Sequence, residues 1–137
     1  MFNERIEFYK KQILFENEIV RFAENAVKGI RGDRAVRELI LGIALDSKKH
    51  AQLLKAIIDI LTTPSEPLTE VELEELKHNI KQHIELEKKA IDSYKEILKS
   101  PMEGAEKLII EVLAEDEVRH HALLQKIYQE IIKQRSE

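Results

Sequence analysis

The sequence has 137 residues, a net charge of −4 and no cysteine. The length is that of one ordinary domain with a hydrophobic core, and the lack of cysteine excludes disulfides, cysteine-ligated zinc and iron–sulfur clusters. The mixed, mildly acidic charge argues against nucleic acid as a partner. No segment approaches the roughly 18 apolar residues of a membrane span and no apolar signal region is visible, so we expect a cytoplasmic protein without a membrane partner.

Glycine and proline residues divide the sequence at three places: at Gly29 and Gly32, at Pro64 and Pro67, and at Pro101 and Gly104. Helical periodicity fills the four segments that remain, and no strand pattern is visible. We predict helices over residues 3–28, 33–61, 69–99 and 103–134. The helix-start residues are Asp33, Thr69 and Ser100, with a capping box at Thr69 and Glu72. The predicted fold class is all-α, a four-helix bundle in a single domain over residues 1–137.

Helices 2 and 4 carry matching inward seams with alternating spacings of three and four residues, which are typical of nearly parallel helix packing. The seam of helix 2 is Ile40, Ile43, Ser47, His50, Leu54, Ile57 and Leu61. The seam of helix 4, 70 residues later, is Ile110, Leu113, Glu117, His120, Leu124, Ile127 and Ile131. Helices 1 and 3 match with an offset of 69, which aligns Phe15, Glu18 and Phe22 with Ile84, Glu87 and Ile91. These matches indicate a duplicated helical hairpin.

The seams are apolar except at one level near the middle of each helix. The polar residues at this level are Glu18, Ser47, His50, Glu87, Glu117 and His120. Buried carboxylates need either a proton or a cation, and two histidines favour the cation because imidazole and carboxylate are ligands for borderline metals. Glu117 and His120 lie three residues apart on one helix face, so both can reach one metal. The predicted ligands are Glu18, His50, Glu87, Glu117 and His120.

Each of these residues also has a simpler interpretation when it is considered alone. A single glutamate on an apolar face usually lies at an edge with its carboxylate in water, and a single core histidine is usually hydrogen-bonded. Their joint occurrence at one level favours metal. His83, one turn before Glu87, is either a supplementary ligand or, with greater weight, a hydrogen-bonded histidine.

The pattern resembles the ferritin-like carboxylate-bridged di-iron superfamily, especially its rubrerythrin and bacterioferritin branch. That family has one Glu on each of two helices and Glu-x-x-His on each of the other two. Glu18 and Glu87 match the single glutamates, the segment from Glu117 to His120 matches a complete motif, and His50 matches the second histidine. The resemblance implies a ferritin-like fold and two metal ions, with iron favoured and manganese or zinc as alternatives. It also places Tyr94 near the site.

Ser47 departs from the family pattern, because the family has a metal-bridging glutamate there. The resemblance then implies Glu18, His50 and shared Glu117 for one metal, and Glu87, His120 and shared Glu117 for the other. Such a site would hold two metals loosely, one metal, or an exogenous bridge in the space that Ser47 leaves. The resemblance further implies that Asp46 and Asp116 each orient a histidine of the other hairpin. Their alternative interpretation is as exposed helix charges.

Three functions stay open at this point. The first, which the resemblance favours, is a di-metal protein that reacts with oxygen or peroxide, in a homodimer or higher homo-oligomer, with a separate protein as electron donor. The second is a non-catalytic metal-binding or iron-storage oligomer. The third is a metal-free helical scaffold, for which Ser47 is the best argument. Two topologies also stay open. In the ferritin-like fold helices 2 and 3 are parallel, so the connection between them must run the length of the bundle, and residues 58–69 barely reach that far. An up-down-up-down bundle needs no such long connection.

Overall fold

The structure, a computed structural model, describes the backbone of residues 2–136 and the side chains of residues 3–133. Its four α-helices are α1 (Phe2–Lys28), α2 (Arg34–Thr62), α3 (Glu70–Ile97) and α4 (Gly104–Ser136). All four predicted helices are therefore present, and the described residues contain no strand. None of these helices is long and apolar enough to cross a membrane, as far as the described residues extend.

Two of the predicted helix starts have the expected capping contacts. Asp33, in the left-handed conformation with φ 44°, accepts a hydrogen bond from the Val36 amide at 3.2 Å. Aspartate is among the few side chains that tolerate this backbone conformation. Thr69 and Glu72 form the predicted capping box, with reciprocal bonds of 3.1 and 2.9 Å. These contacts satisfy amide groups that a helix start leaves without partners.

The prediction that Ser100 starts the fourth helix is wrong. Its amide donates to the carbonyl of Ile97 at 3.0 Å, and the amide of Lys99 donates to Glu96 at 3.1 Å. Ser100 therefore completes the C-terminal turn that follows α3. α4 begins at Gly104, whose φ of +65° is accessible to glycine at little cost.

The first hairpin consists of α1 packed on α2. Its buried side chains are Val20, Ala23 and Val27 from α1 and Ala44, Ser47 and Ala51 from α2. The three α2 residues are small and recur at spacings of three and four, so they form one face along which α1 can approach closely. Position 47 is therefore part of the helix–helix contact of this hairpin.

The second hairpin consists of α3 packed on α4. Ile80 and Ile91 of α3 and Ile131 of α4 are its buried apolar residues. Lys81 of α3 also lies 5.6 Å from the ring centre of Tyr128 on α4. Ile80 lies about two turns before residue 87, and Ile91 lies about one turn after it. Residue 87 is therefore on the helix face that packs against α4.

An aromatic stripe on α1 is not covered by α2. Phe8, Phe15 and Phe22 recur every seven residues and therefore lie on one side of the helix. All three are exposed, and Phe22 reaches 76% exposure. The face of α1 that contacts α2 is thus a different one, which contains Val20, Ala23 and Val27.

Candidate metal centre

Three side chains of the types that bind metals converge on the α3–α4 hairpin. α3 contributes Glu87, and α4 contributes Glu117 and His120. His120 Nδ1 lies 3.8 Å from Glu117 Oε1 and 3.9 Å from Glu87 Oε2. One ligand atom from each of the three residues lies within 4.8 Å of the other two. The i, i+3 spacing on α4 presents two donors to the single donor from α3.

The carboxylate of Glu87 is the most enclosed part of this cluster. Its side chain is 12% exposed, and that of Glu117 is 22% exposed. With both carboxyls ionised, Glu87 Oε2 is buried and accepts no hydrogen bond from the described residues. A buried acceptor without a donor lowers the free energy of unfolding by about 1–3 kcal/mol, and by more when the group is charged. A proton on Glu117 or a bound cation would remove that cost.

The other oxygen of Glu87 has a partner on its own helix. His83 Nε2 lies 3.1 Å from Glu87 Oε1, one helical turn earlier. The two carboxylate oxygens therefore face different groups. Oε1 faces His83, and Oε2 faces His120.

The two carboxyl groups of the cluster perturb each other. A hydrogen bond from protonated Glu117 to ionised Glu87 raises the pKa of Glu117, and burial and the charge of Glu87 raise it further. The same hydrogen bond lowers the pKa of Glu87 against the effect of burial, with help from His83 and His120. Without metal, the pair is thus arranged to share a proton, and Glu117 is the group that carries it.

We expect Glu117→Gln to stabilise the metal-free protein at pH 7. The raised pKa of Glu117 means that its ionised form is disfavoured in the folded state, so the folded protein loses stability as pH rises through that pKa. Glutamine keeps a donor for Glu87 and carries no charge. The free energy of unfolding in urea, measured in chelator from pH 4 to pH 8, should be higher for the variant at pH 7. The difference should shrink as pH falls. A wild-type protein at least as stable as the variant at pH 7 would contradict the shared-proton arrangement.

The donor set of the α3–α4 hairpin fits a transition metal. Carboxylate oxygen and imidazole nitrogen are ligands for iron, manganese and zinc. Atoms that bind one ion at about 2.0–2.2 Å lie at most about 4.4 Å apart. The separations of 3.8 and 3.9 Å from His120 Nδ1 fall inside that limit.

The α1–α2 hairpin holds a smaller version of the same arrangement. His50 Nδ1 lies 3.0 Å from Glu16 Oε2, so a histidine from α2 meets a glutamate from α1. Ser47, at the position that Glu117 occupies in the other hairpin, is 4% exposed and adds no carboxylate. This hairpin therefore brings two metal-ligand side chains together.

The structure places Glu18, a predicted ligand, away from His50. Glu18 is 51% exposed and forms an ion pair with Arg21 one turn later on α1. Glu16 is 15% exposed and contacts His50 directly. Glu16 was not among the predicted ligands. An offset of 71 residues would have found it, because this offset aligns Ile13, Glu16 and Val20 with Ile84, Glu87 and Ile91.

The two aspartates predicted near the site form ion pairs within their own helices. Asp46 lies 3.8 Å from Lys49 Nζ, and Asp116 forms an ion pair with Arg119. Ion pairs of this kind are typical of charges on an exposed helix face, which was the alternative interpretation of both aspartates. Tyr94 is half-buried on α3, seven residues after Glu87.

Comparison with known proteins identifies the family of the chain. The rubrerythrin family model matches residues 16–128, which is most of the sequence. No individual curated protein and no solved structure gave a match. The chain therefore belongs to the rubrerythrin family, and its fold class is the predicted all-α, ferritin-like four-helix bundle built from two helical hairpins.

Proposed function

We propose that this protein is a rubrerythrin-like di-iron protein that reacts with oxygen or peroxide. Family membership supports a ferritin-like di-metal protein. The observation that carries the proposal is the convergence of Glu87, Glu117 and His120, with one buried carboxylate oxygen that lacks a donor. A metal-free chain can bury these two carboxyl groups together only by keeping a proton on one of them, whereas a bound cation would compensate both charges.

The ligand assignment follows the contacts within each hairpin. Glu87, Glu117 and His120 are the ligands from the second hairpin. From the first hairpin we assign His50 and replace Glu18 by Glu16, because Glu16 contacts His50 and Glu18 faces Arg21. Both histidines present Nδ1 to a carboxylate, so we assign Nδ1 as the metal-binding nitrogen in each.

The chemistry of the proposal depends on electron supply. When bound, two ferrous ions supply the two electrons that reduce hydrogen peroxide to two waters, with two protons taken up. The carboxylate and imidazole side chains of the protein would hold the ions. Because these 137 residues contain no cysteine and hence no rubredoxin-type iron site, the proposal needs an electron donor outside them.

The test is anaerobic reconstitution with ferrous iron, followed by metal analysis and then by peroxide. We expect two irons per chain and near-ultraviolet absorption that rises when peroxide is added. Glu16→Gln should lower the iron content, whereas Glu18→Gln, a matched change two residues away, should leave it unchanged. A chain that binds no iron, manganese or zinc would refute the proposal. Equal effects of the two variants would refute only the assignment of Glu16.

A further inference from the structure

His83 lies beside one of the second-hairpin ligands but has no role in the proposed function. It lies on α3 four residues before Glu87, and its Nε2 is 3.1 Å from Glu87 Oε1. It stands outside the group of three ligand atoms that lie within 4.8 Å of one another. His83 is thus adjacent to a proposed ligand but separate from the converging donors.

The contact between His83 and Glu87 determines which of the two side chains donates the hydrogen bond. An ionised carboxylate only accepts hydrogen bonds, so the imidazole must donate from Nε2 to Oε1. Glu87 Oε2, on the other side of the carboxylate, faces His120 Nδ1 at 3.9 Å and is the buried acceptor without a donor. One oxygen is therefore held by His83, and the other is left for a cation.

We infer that His83 is a positioning residue that holds Glu87 so that Oε2 points at the metal. This inference rests on the proposed function, and it adds a residue beyond the ligands themselves. A glutamate side chain has three rotatable bonds, and a hydrogen bond to one oxygen restricts the rotation of the carboxylate. Partners of this kind commonly change metal affinity by about 10- to 100-fold.

The first hairpin has a glutamine at the position that corresponds to His83. The offset of 71 that aligns Glu16 with Glu87 also aligns Gln12 with His83. Glutamine has an amide donor at nearly the same reach as imidazole Nε2. His83→Gln therefore keeps the proposed hydrogen bond, and His83→Phe keeps the ring shape without a donor.

The experiment measures metal affinity by competition with a chromophoric chelator, with zinc and with ferrous iron under anaerobic conditions. We expect His83→Phe to weaken the second-hairpin metal by about 10-fold or more, and His83→Gln to remain within about threefold of wild type. His78→Phe, on the same helix and outside the cluster, is the matched control and should behave like wild type. Far-ultraviolet circular dichroism checks that all variants fold.

A second measurement separates positioning from general disruption. In a Glu87→Ala background, His83→Phe should have no further effect on affinity, because His83 acts through Glu87. Unchanged affinity in His83→Phe, equal losses in His83→Phe and His83→Gln, or additive losses with Glu87→Ala would each overturn the inference. These results leave the proposed function intact, whereas a wild-type chain that binds no metal overturns both.

Discussion

Replacing Glu117 by alanine is expected to cause the largest loss of metal of any single ligand change. In the proposed centre, Glu117 is the carboxylate left to be shared by two metals, since position 47 is a serine. In the α3–α4 hairpin, its Oε1 is also one of the two carboxylate oxygens facing His120 Nδ1. The variant should lose the second metal ion entirely and retain the first weakly. Metal analysis after reconstitution and gel filtration measures this directly.

The same variant should lower thermal stability with metal far more than without metal. A ligand at 100 times its dissociation constant stabilises the folded state by about 2.7 kcal/mol, and Glu117→Ala removes much of that stabilisation. Without metal, the variant also removes the carboxylate that confronts Glu87. Differential scanning calorimetry should thus show a lower Tm for the loaded variant and little loss for the metal-free one. Glu115→Ala, at an exposed position of α4, is the control. Two metals bound with wild-type affinity would refute the bridging assignment.

The features predicted most directly from the sequence were those that depend on spacing within one helix. The Glu-x-x-His motif of α4 required only that residues three apart share a face, and the structure brings Glu117 and His120 together as that spacing requires. In the predicted seam of α2, Ser47 is buried as expected, whereas Ile43 is 56% exposed. The capping box at Thr69 and Glu72 followed from a local pattern in the same way.

The register of α1 could not be read from the sequence, because this helix has two apolar stripes. The stripe with Phe15 and Phe22 contains Glu18 nearby, and the stripe with Ile13 and Val20 contains Glu16. The larger aromatic residues favoured the first stripe, but α2 covers the second. Small residues on α2 allow close approach of an aliphatic face, and this preference depends on both helices together. Periodicity in one helix cannot show it.

Contacts around the ligands were also beyond sequence reasoning. The four-residue spacing of His83 and Glu87 permits a hydrogen bond but does not show which carboxylate oxygen is used. The choice of Oε1 depends on side-chain torsions set by packing. Because Oε1 of Glu87 faces His83, the other oxygen, Oε2, is the one that faces His120.

The environment of Ser47 makes this position a sensitive test of the metal centre. Ser47 is 4% exposed and packs with Ala44 and Ala51 on the face of α2 that contacts α1. Its counterpart in the second hairpin is Glu117, which reaches Glu87 and His120. A glutamate at position 47 would restore the family pattern. It would also introduce a larger, charged side chain into a small-residue contact.

Ser47→Glu is therefore expected to destabilise the metal-free protein and to strengthen metal binding. Without metal, a buried and poorly satisfied carboxylate should lower the free energy of unfolding at pH 7 by roughly 1–3 kcal/mol. With ferrous iron, the added carboxylate has a cation to bind, so affinity and the rate of iron oxidation should both rise. Urea unfolding with and without iron, together with chelator competition, measures the two effects.

Ser47→Gln is the control that separates size from charge in this experiment. Glutamine has nearly the same volume as glutamate, so it should produce the same overpacking cost. It lacks the negative charge, so it should not raise iron affinity. A glutamate variant that binds iron more tightly than both wild type and the glutamine variant supports a di-metal centre that lacks one bridge. A glutamate variant that loses stability equally with and without iron, and gains no metal, would instead favour a metal-free scaffold, because the buried charge would then have no cation to compensate it.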